Sequence, residues 1–388
     1  SGISLIVLVI TIIVMIILAA AIILSLSNSG IISKANKAKT DTDISNAKDL
    51  VAMAHADWML DEAKIKENDN TITSFSNYAE KKLQKAGYKV GAGEGAYTVT
   101  EDGEVYTGLT ETARTAIRAG IKVGDVVTGY TVAANTYTTS GEENSYDPSN
   151  NIEMNPQTVA ANTTLTWKYL GVNTNGELEI MADLGTTAVA DNTKVTLSGK
   201  GGYLKGPDML NTVCKELYSV SGVGTARSMN IDDVNNLLGY IPTYNYTYSS
   251  STITSAIPLT IGETENKLNK RIGARTTPDG KDLETYYADC YVISKTSSAI
   301  SKGKVSLIYN EKNEYWLASP CVDIDLDSDY AFFLVRHVGS TYVNSLTTFM
   351  SDGSSSNIIC AVRPVVKLDT SVKLTKDATV ANTWNISK

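Results

Sequence analysis

Two hydrophobic patterns follow one another along the first part of the chain. From Ile3 to Leu26 the sequence reads ISLIVLVITIIVMIILAAAIILSL, apolar on every face and interrupted only by Ser4, Thr11 and Ser25. No proline breaks this run, so it predicts a helix about 36 Å long, and a bilayer core needs about 20 apolar residues. The apolar positions then thin to a stripe. Ile31, Ile32, Ala35 and Ala38, followed by Ile44, Ala47, Val51, Ala54 and Trp58, recur at spacings of three and four, the period of an amphipathic helix. Lys34, Lys37, Lys39, Lys48 and Asp49 occupy the other faces. Residues 3 to about 64 thus read as one helix of about 90 Å, with Gly30 as its weak point.

Beyond that helix the pattern shortens. Ser74 to Ala86 predicts a short amphipathic helix ended by Gly87, and Tyr97–Thr100 alternates with Val105-Tyr106 about an Asp102-Gly103 hairpin turn. From Ile121 onward the chain reads mainly as strands: IKVGDVVTGYTV, then TLTWKYLGV and ELEIMADL around a turn at 173–176. Helices are expected at Pro207–Tyr218 and from Ile231 to Gly239. Residues 243–257, rich in Tyr, Ser and Thr, read as loop or edge material. Strands are expected at 315–321, 330–335 and 361–368. The expected organisation is α+β: a helix over 1–64, a small α+β element over 65–118, a β-rich head over 119–372 and a tail over 373–388.

Composition narrows the chemistry. With 34 Lys+Arg against 42 Asp+Glu the formal charge is −8, which argues against a nucleic-acid partner. Tyrosine supplies 21 aromatics against 4 Phe and 4 Trp, a balance that suits exposed β-structure. The only histidines are His55 and His337, and the four cysteines show no CxxC spacing, so no metal or cofactor is expected. The glycines of GAGEG at 91–95 lack the lysine of a phosphate loop and read as a turn. An even, low cysteine count fits up to two disulfides. Cys321 and Cys360 flank expected neighbouring strands and are the first pair expected, which leaves Cys214 with Cys290.

GISLIVLVITIIVMIILAAAIIL, followed directly by an amphipathic helix, resembles the N-terminal helix of type IV pilins, especially variants of clostridia-like bacteria. The similarity covers about the first 60 residues. Ser1-Gly2 precedes the run without a basic flank, which suits cleavage ahead of the run, as by prepilin peptidase, rather than behind it. One departure is that no acidic residue occurs before Asp41, whereas these pilins usually carry a glutamate near the start of the helix. The resemblance implies helical self-assembly through Ile3, Leu5, Ile6, Val9, Ile10, Ile13, Met15, Leu18, Ile22 and Leu24. It implies a membrane-held state before assembly, pilus assembly machinery as partner, and an extracellular, cell-surface location afterwards. A signal anchor holding a surface domain is the simpler alternative.

Motifs at 166–171 (TWKYLG), 226–233 (ARSMNIDD), 315–321 (YWLASPC) and 361–368 (AVRPVVKL) resemble a surface domain of clostridia-like bacteria related to the C-type-lectin and formylglycine-generating-enzyme folds. The copper-binding cysteine pair of those enzymes has no matching motif here, so no enzyme activity is expected. His337 beside Arg336 lacks a nucleophile elbow or third partner and reads as a solvent-facing strand residue, while Arg363, between valine and proline, reads as a buried structural arginine. Asp323, Asp325, Asp327 and Asp329 alternate so that an extended strand puts all four carboxylates on one face. Calcium suits such a face, but the glycine and glutamate of an EF-hand loop are missing, and a solvated strand is the plainer reading. Together with His337 and Tyr342, these acidic positions are the expected ligand surface if the head contacts a glycan. The expectation is a pilus-like filament subunit, with a membrane-anchored carbohydrate-binding adhesin as the rival.

Overall fold

The structure, a computed structural model, describes residues 31–141, 154–242, 247–249, 285–287, 290–325, 330–350 and 355–388. The apolar run Ile3–Leu26, with every assembly position named above and Gly30, lies outside the described residues. Among the described residues no helix is long and apolar enough to cross a membrane. The chain forms two compact units, Ser1–Arg114 and Thr115–Lys388. It mixes helix and sheet, and the larger unit is β-rich.

The first unit contains helices α1 (Ile31–Asn68) and α2 (Phe75–Lys85) and a hairpin of β1 (Tyr97–Val99) and β2 (Val105–Thr107), and ends within α3 (Glu111–Arg118). At Asp61 the backbone leaves helical geometry (φ −154°, ψ 59°). The Asp61 carboxylate accepts the Lys64 N–H at 3.2 Å, so a broken turn is recapped and the helix resumes. Ala47, Val51, Ala54 and Trp58 are buried with Phe75, Tyr78 and Leu83 of α2, which is the stripe the three-and-four spacing marks. The α2 start follows from Ser74, whose hydroxyl accepts the Asn77 N–H at 3.3 Å. Glu80 is buried; it accepts the Val99 N–H at 3.2 Å and pairs with Arg114 at 3.0 Å, joining helix to hairpin.

The second unit carries β3 (Val126–Thr128), β4 (Thr136–Thr138), β5 (Thr158–Ala160), β6 (Thr166–Val172), β7 (Leu178–Asp183), β8 (Lys194–Ser198), β9 (Gly224–Ser228), β10 (Thr247–Ser249), β11 (Thr285–Tyr287) and β12 (Ile293–Ser294). It continues with β13 (Tyr315–Asp325), β14 (Tyr330–Val338), β15 (Tyr342–Met350), β16 (Asn357–Ala361), β17 (Pro364–Leu368), β18 (Lys373–Lys376) and β19 (Thr383–Ser387). Helices α4 (Gly199–Leu204), α5 (Gly206–Tyr218) and α6 (Ile231–Leu238) are interspersed. Two sheets dominate: six strands in the order β12-β15-β14-β13-β16-β8, and seven in the order β18-β19-β3-β6-β7-β17-β9. Residues of both sheets and of α6, among them Met181, Leu238, Tyr315, Leu317, Val343 and Val365, share one buried cluster.

Two expectations are corrected. Residues 373–388 are not a tail: β18 and β19 extend the larger sheet, with β19 parallel to β3 and Trp384 buried. The Trp384 indole N–H donates to the Asp125 carboxylate at 2.9 Å, so one aromatic residue in a polar stretch supplies the anchor. The run 361–368 is not one strand but two, β16 in one sheet and β17 in the other.

The crossover is set by Pro364. Met229 donates its N–H to Arg363 O at 2.9 Å, and Val365 pairs with Arg227, so the alternation of an antiparallel ladder turns position 364 toward β7, opposite Ala182. A proline has no N–H to give there. The Arg363 Nε donates to Ala182 O instead, at 2.9 Å. Its Nη1 donates to the Tyr315 hydroxyl at 2.8 Å, and that hydroxyl donates to Ile308 O at 2.8 Å. Arg363 is buried, as the sequence reading expects, with its guanidinium over the Tyr315 ring at 5.0 Å.

Replacing Arg363 with Met leaves the Ala182 carbonyl buried without a donor and strips a partner from Tyr315, so denaturant unfolding should show about 3 kcal/mol or more of lost stability. Arg363→Lys should recover only part, because an ammonium lacks the fork that serves both partners. An unchanged midpoint for Arg363→Met would contradict the assigned role.

Candidate functional site

The acidic and aromatic residues expected to make one ligand surface are separated by the strand ladder. Asp323 is exposed on β13 and pairs with Phe332 of β14, whereas His337 lies at the far end of β14, paired with Trp316 and Asn344. His337 is five residues on from Phe332 along one strand, about 17 Å. Tyr342 opens β15 at the His337 end and is 50% exposed. Asp325 belongs to β13, and Asp327 lies outside the described residues. Among the described residues no group of His, Cys, Asp and Glu is arranged to hold a metal ion.

His337 is not solvent-facing. It is 8% exposed, and its Nδ1 is buried without a hydrogen-bond partner. Its register opposite Trp316 explains the burial, because that indole is fully enclosed and donates Nε1–H to Val195 O at 2.8 Å. Burial pulls the imidazole pKa down to about 4, so at neutral pH the ring is uncharged. Ser319 of β13, whose hydroxyl is the other candidate for acid–base chemistry in this sheet, accepts the Ile231 N–H at 2.9 Å and closes the start of α6. An enclosed imidazole with a pKa near 4 is a weak base, and the Ser319 hydroxyl serves the start of α6.

Arg227, Glu179 and Asp233 form an ionic cluster that the sequence reading does not single out. Arg227 on β9 pairs with Asp233 at 2.6 Å and with Glu179 of β7 at 3.1 Å. Asp233 also closes a capping box with Asn230, accepting the Asn230 N–H at 2.9 Å while the Asn230 side chain accepts its own. Burial pushes the Glu179 carboxyl above its usual range, and the Arg227 guanidinium opposes that shift. All three charges face one another, so the cluster braces α6 against the sheet. The Asn-x-x-Asp spacing before an apolar run is the signal that reveals half of it.

A shallow recess of about 230 Å³ lies at the β9 side of the larger sheet, lined by Glu177, Ser219, Thr225, Lys367 and Asp369. Glu177 and Lys367 pair across it at 3.2 Å. It offers hydroxyls and a paired charge to solvent, the groups of a polar surface rather than of an apolar binding cleft.

The expected disulfides are also corrected. Cys290 and Cys321 are bonded, with Cα atoms 5.4 Å apart, while Cys214 and Cys360 are buried thiols outside any disulfide. Strands β13 and β16 pair only at Tyr315 and Ala361. Cys321 lies six residues further along β13, about 20 Å, far beyond the ~7 Å that a disulfide spans between Cα atoms. Burial pushes both remaining thiols up to about 12, which makes them poor nucleophiles. The chain matches no family model, no curated protein and no solved structure.

Two outcomes follow from this geometry. Because the His337 pKa is lowered in the fold relative to the free side chain, its contribution to stability is complete above about pH 6.5 and is lost as the pH falls through 4. Urea unfolding of the wild type should therefore lose up to about 3 kcal/mol more over that interval than unfolding of His337→Leu; parallel pH profiles would contradict the buried imidazole. Non-reducing peptide mapping should return Cys290 linked to Cys321, with Cys214 and Cys360 alkylated only after unfolding. The 31-residue separation should make reduction cost roughly 3–4 kcal/mol on the chain-entropy model.

Proposed function

We propose that the chain is a structural subunit of an extracellular type IV pilus-like filament, held in the membrane before assembly and polymerised through its N-terminal helix. The observation that carries this reading is that between Ala52 and Leu60 α1 is apolar on two sides. Ala47, Val51, Ala54 and Trp58 are covered by the helix's own unit. On the opposite side Met53, Met59 and Leu60 are 66%, 73% and 85% exposed, with Ala52 and Ala56 exposed between them. At 100° per residue these positions fall within about a third of the helix circumference. A surface helix of an isolated domain needs one apolar face.

This second face follows, along the chain, the run from Ile3 to Leu26, which is apolar all round and needs a cover of lipid or of other helices. Neighbouring subunits supply such a cover for both. Prepilin peptidase and pilus assembly machinery are the partners that this reading implies. The β-rich unit then stands as the displayed head, and its lectin-like character rests on the motifs at 166–171, 226–233, 315–321 and 361–368. No reaction is assigned to it.

Met53→Glu and Leu60→Glu, singly and together, should leave the unfolding of the subunit unchanged because both side chains are already in solvent. Covering a Met or Leu contributes about 1.5–3 kcal/mol, so the double variant should raise the concentration needed for fibres by more than about tenfold. Removing residues 1–28 should abolish fibres in negative-stain electron microscopy. Fibres from the truncated chain would reject the reading.

A further inference from the structure

A strand at the rim of a sheet exposes the outward N–H and C=O of every second residue, and on two of the four rims of the two sheets outward N–H groups are already taken. On β9 the outward N–H groups are those of Gly224, Ala226 and Ser228, and each is taken: by Val220 O at 3.0 Å, Ser219 Oγ at 2.9 Å and Asn211 Oδ1 at 3.1 Å. On β8 the Gln157 amide takes both groups of Thr196, at 2.7 and 2.8 Å. The β12 rim is only two residues long.

The fourth rim is β18. Asp377 donates its N–H to Thr383 O at 2.8 Å, which turns Thr375 and Lys373 toward β19 and leaves Leu374 and Lys376 facing outward. Among the described residues neither outward group has a partner. Lys373, Thr375 and Lys376 are exposed, and the Lys373 partner in the ladder, Ser387, adjoins Lys388. This open rim is therefore basic on a chain whose net charge is −8. Lysines at a rim repel uncharged or basic strands, yet they attract a strand carrying carboxylates, and main-chain bonding then supplies the affinity.

We propose that β18 is a strand-addition site whose partner is an extended acidic polypeptide segment, docked antiparallel or parallel to Lys373–Lys376. Outward main-chain groups of Leu374 and Lys376 bond the incoming backbone, and Lys373 and Lys376 pair with its acidic side chains. The inference goes beyond the filament reading and stands or falls separately from it.

The test uses the full-length chain in detergent, with amide hydrogen exchange read across Val372–Lys376. Three five-residue probes at ~1 mM are compared: valine with glutamate at the second and fifth positions, so that the two carboxylates fall on opposite faces as Lys373 and Lys376 do, the same peptide with lysine in place of glutamate, and the acidic peptide with its bonding backbone nitrogens methylated. The acidic peptide should slow exchange at this segment by about tenfold, the lysine and methylated peptides should not, and Lys373→Glu/Lys376→Glu should reverse the preference. Both substituted side chains are exposed, so the fold should be unaffected. Equal slowing by the acidic and methylated peptides would show mere charge attraction and overturn the proposal. No slowing by any peptide would leave the lysines as a guard against pairing and overturn it too. Neither result bears on fibre formation, which is read separately by microscopy.

Discussion

A proline at the point where one strand run passes between two sheets leaves a carbonyl without its donor, and the architecture of the larger unit depends on how Arg363 answers that vacancy. Its Nε replaces the missing N–H at Ala182 in one sheet, while Nη1 holds the Tyr315 hydroxyl in the other. Burying a cation is costly unless it is fully bonded, and the site compensates with oxygen acceptors and with the Tyr315 ring. The field also reaches Asp183. Burial by itself would raise that carboxyl, but the Lys168 ammonium at 2.6 Å, the Gly185 N–H and the more distant Arg363 together hold it below its usual range. Because β16 and β17 are consecutive, a shift of either sheet would pull this cluster apart. The two sheets therefore keep one relative position.

The first unit faces a different constraint, that of a helix apolar on opposite sides. Its inner side is satisfied locally by Phe75, Tyr78 and Leu83. Its outer side, at Met53, Met59 and Leu60, stays in contact with water in the isolated chain. Leaving such side chains exposed carries no folding penalty, because the unfolded chain exposes them as well. It does supply a driving force for association, which in the proposed filament lets one helix serve both folding and assembly.

How far the sequence was legible depends on where the deciding interaction sits. The α1 stripe, the Ser74 cap, the hairpin at Gly103 and the α6 stop at Gly239, in left-handed geometry at φ 62°, are local, and their residues announce them. The division of 361–368 between two sheets is not local, since it needs the partner of Pro364 to be known. The burial of His337 is set by Trp316 across a strand pair, so a sequence that reads Arg-His in a strand gives no sign of which face is covered. The distance between Asp323 and His337 has a related reason. Alternation puts carboxylates on one face of a strand but does not fix how far along the neighbouring strand the next chemistry-bearing residue falls. The cysteine pairing failed because adjacency of β13 and β16 holds at one residue only.

Many polar residues of the larger unit serve its backbone. Asn313 accepts the Val189 N–H at 2.8 Å and donates to the Leu184 and Thr187 carbonyls at 3.1 and 2.9 Å. Gln157 stands in for a neighbouring strand, and Asn211 and Ser219 close the β9 rim. Arg336 lies 4.0 Å over the Tyr291 ring and donates to its carbonyl at 2.7 Å. These are side-chain types that a search for chemistry would select, and here each completes backbone that irregular loops and short strands leave open. A β-rich body with many short strands creates such open groups in proportion to its turns, and polar side chains are the local means of closing them. Side chains held this firmly by main-chain partners keep the surface around them rigid, which is the property that the proposed filament head requires.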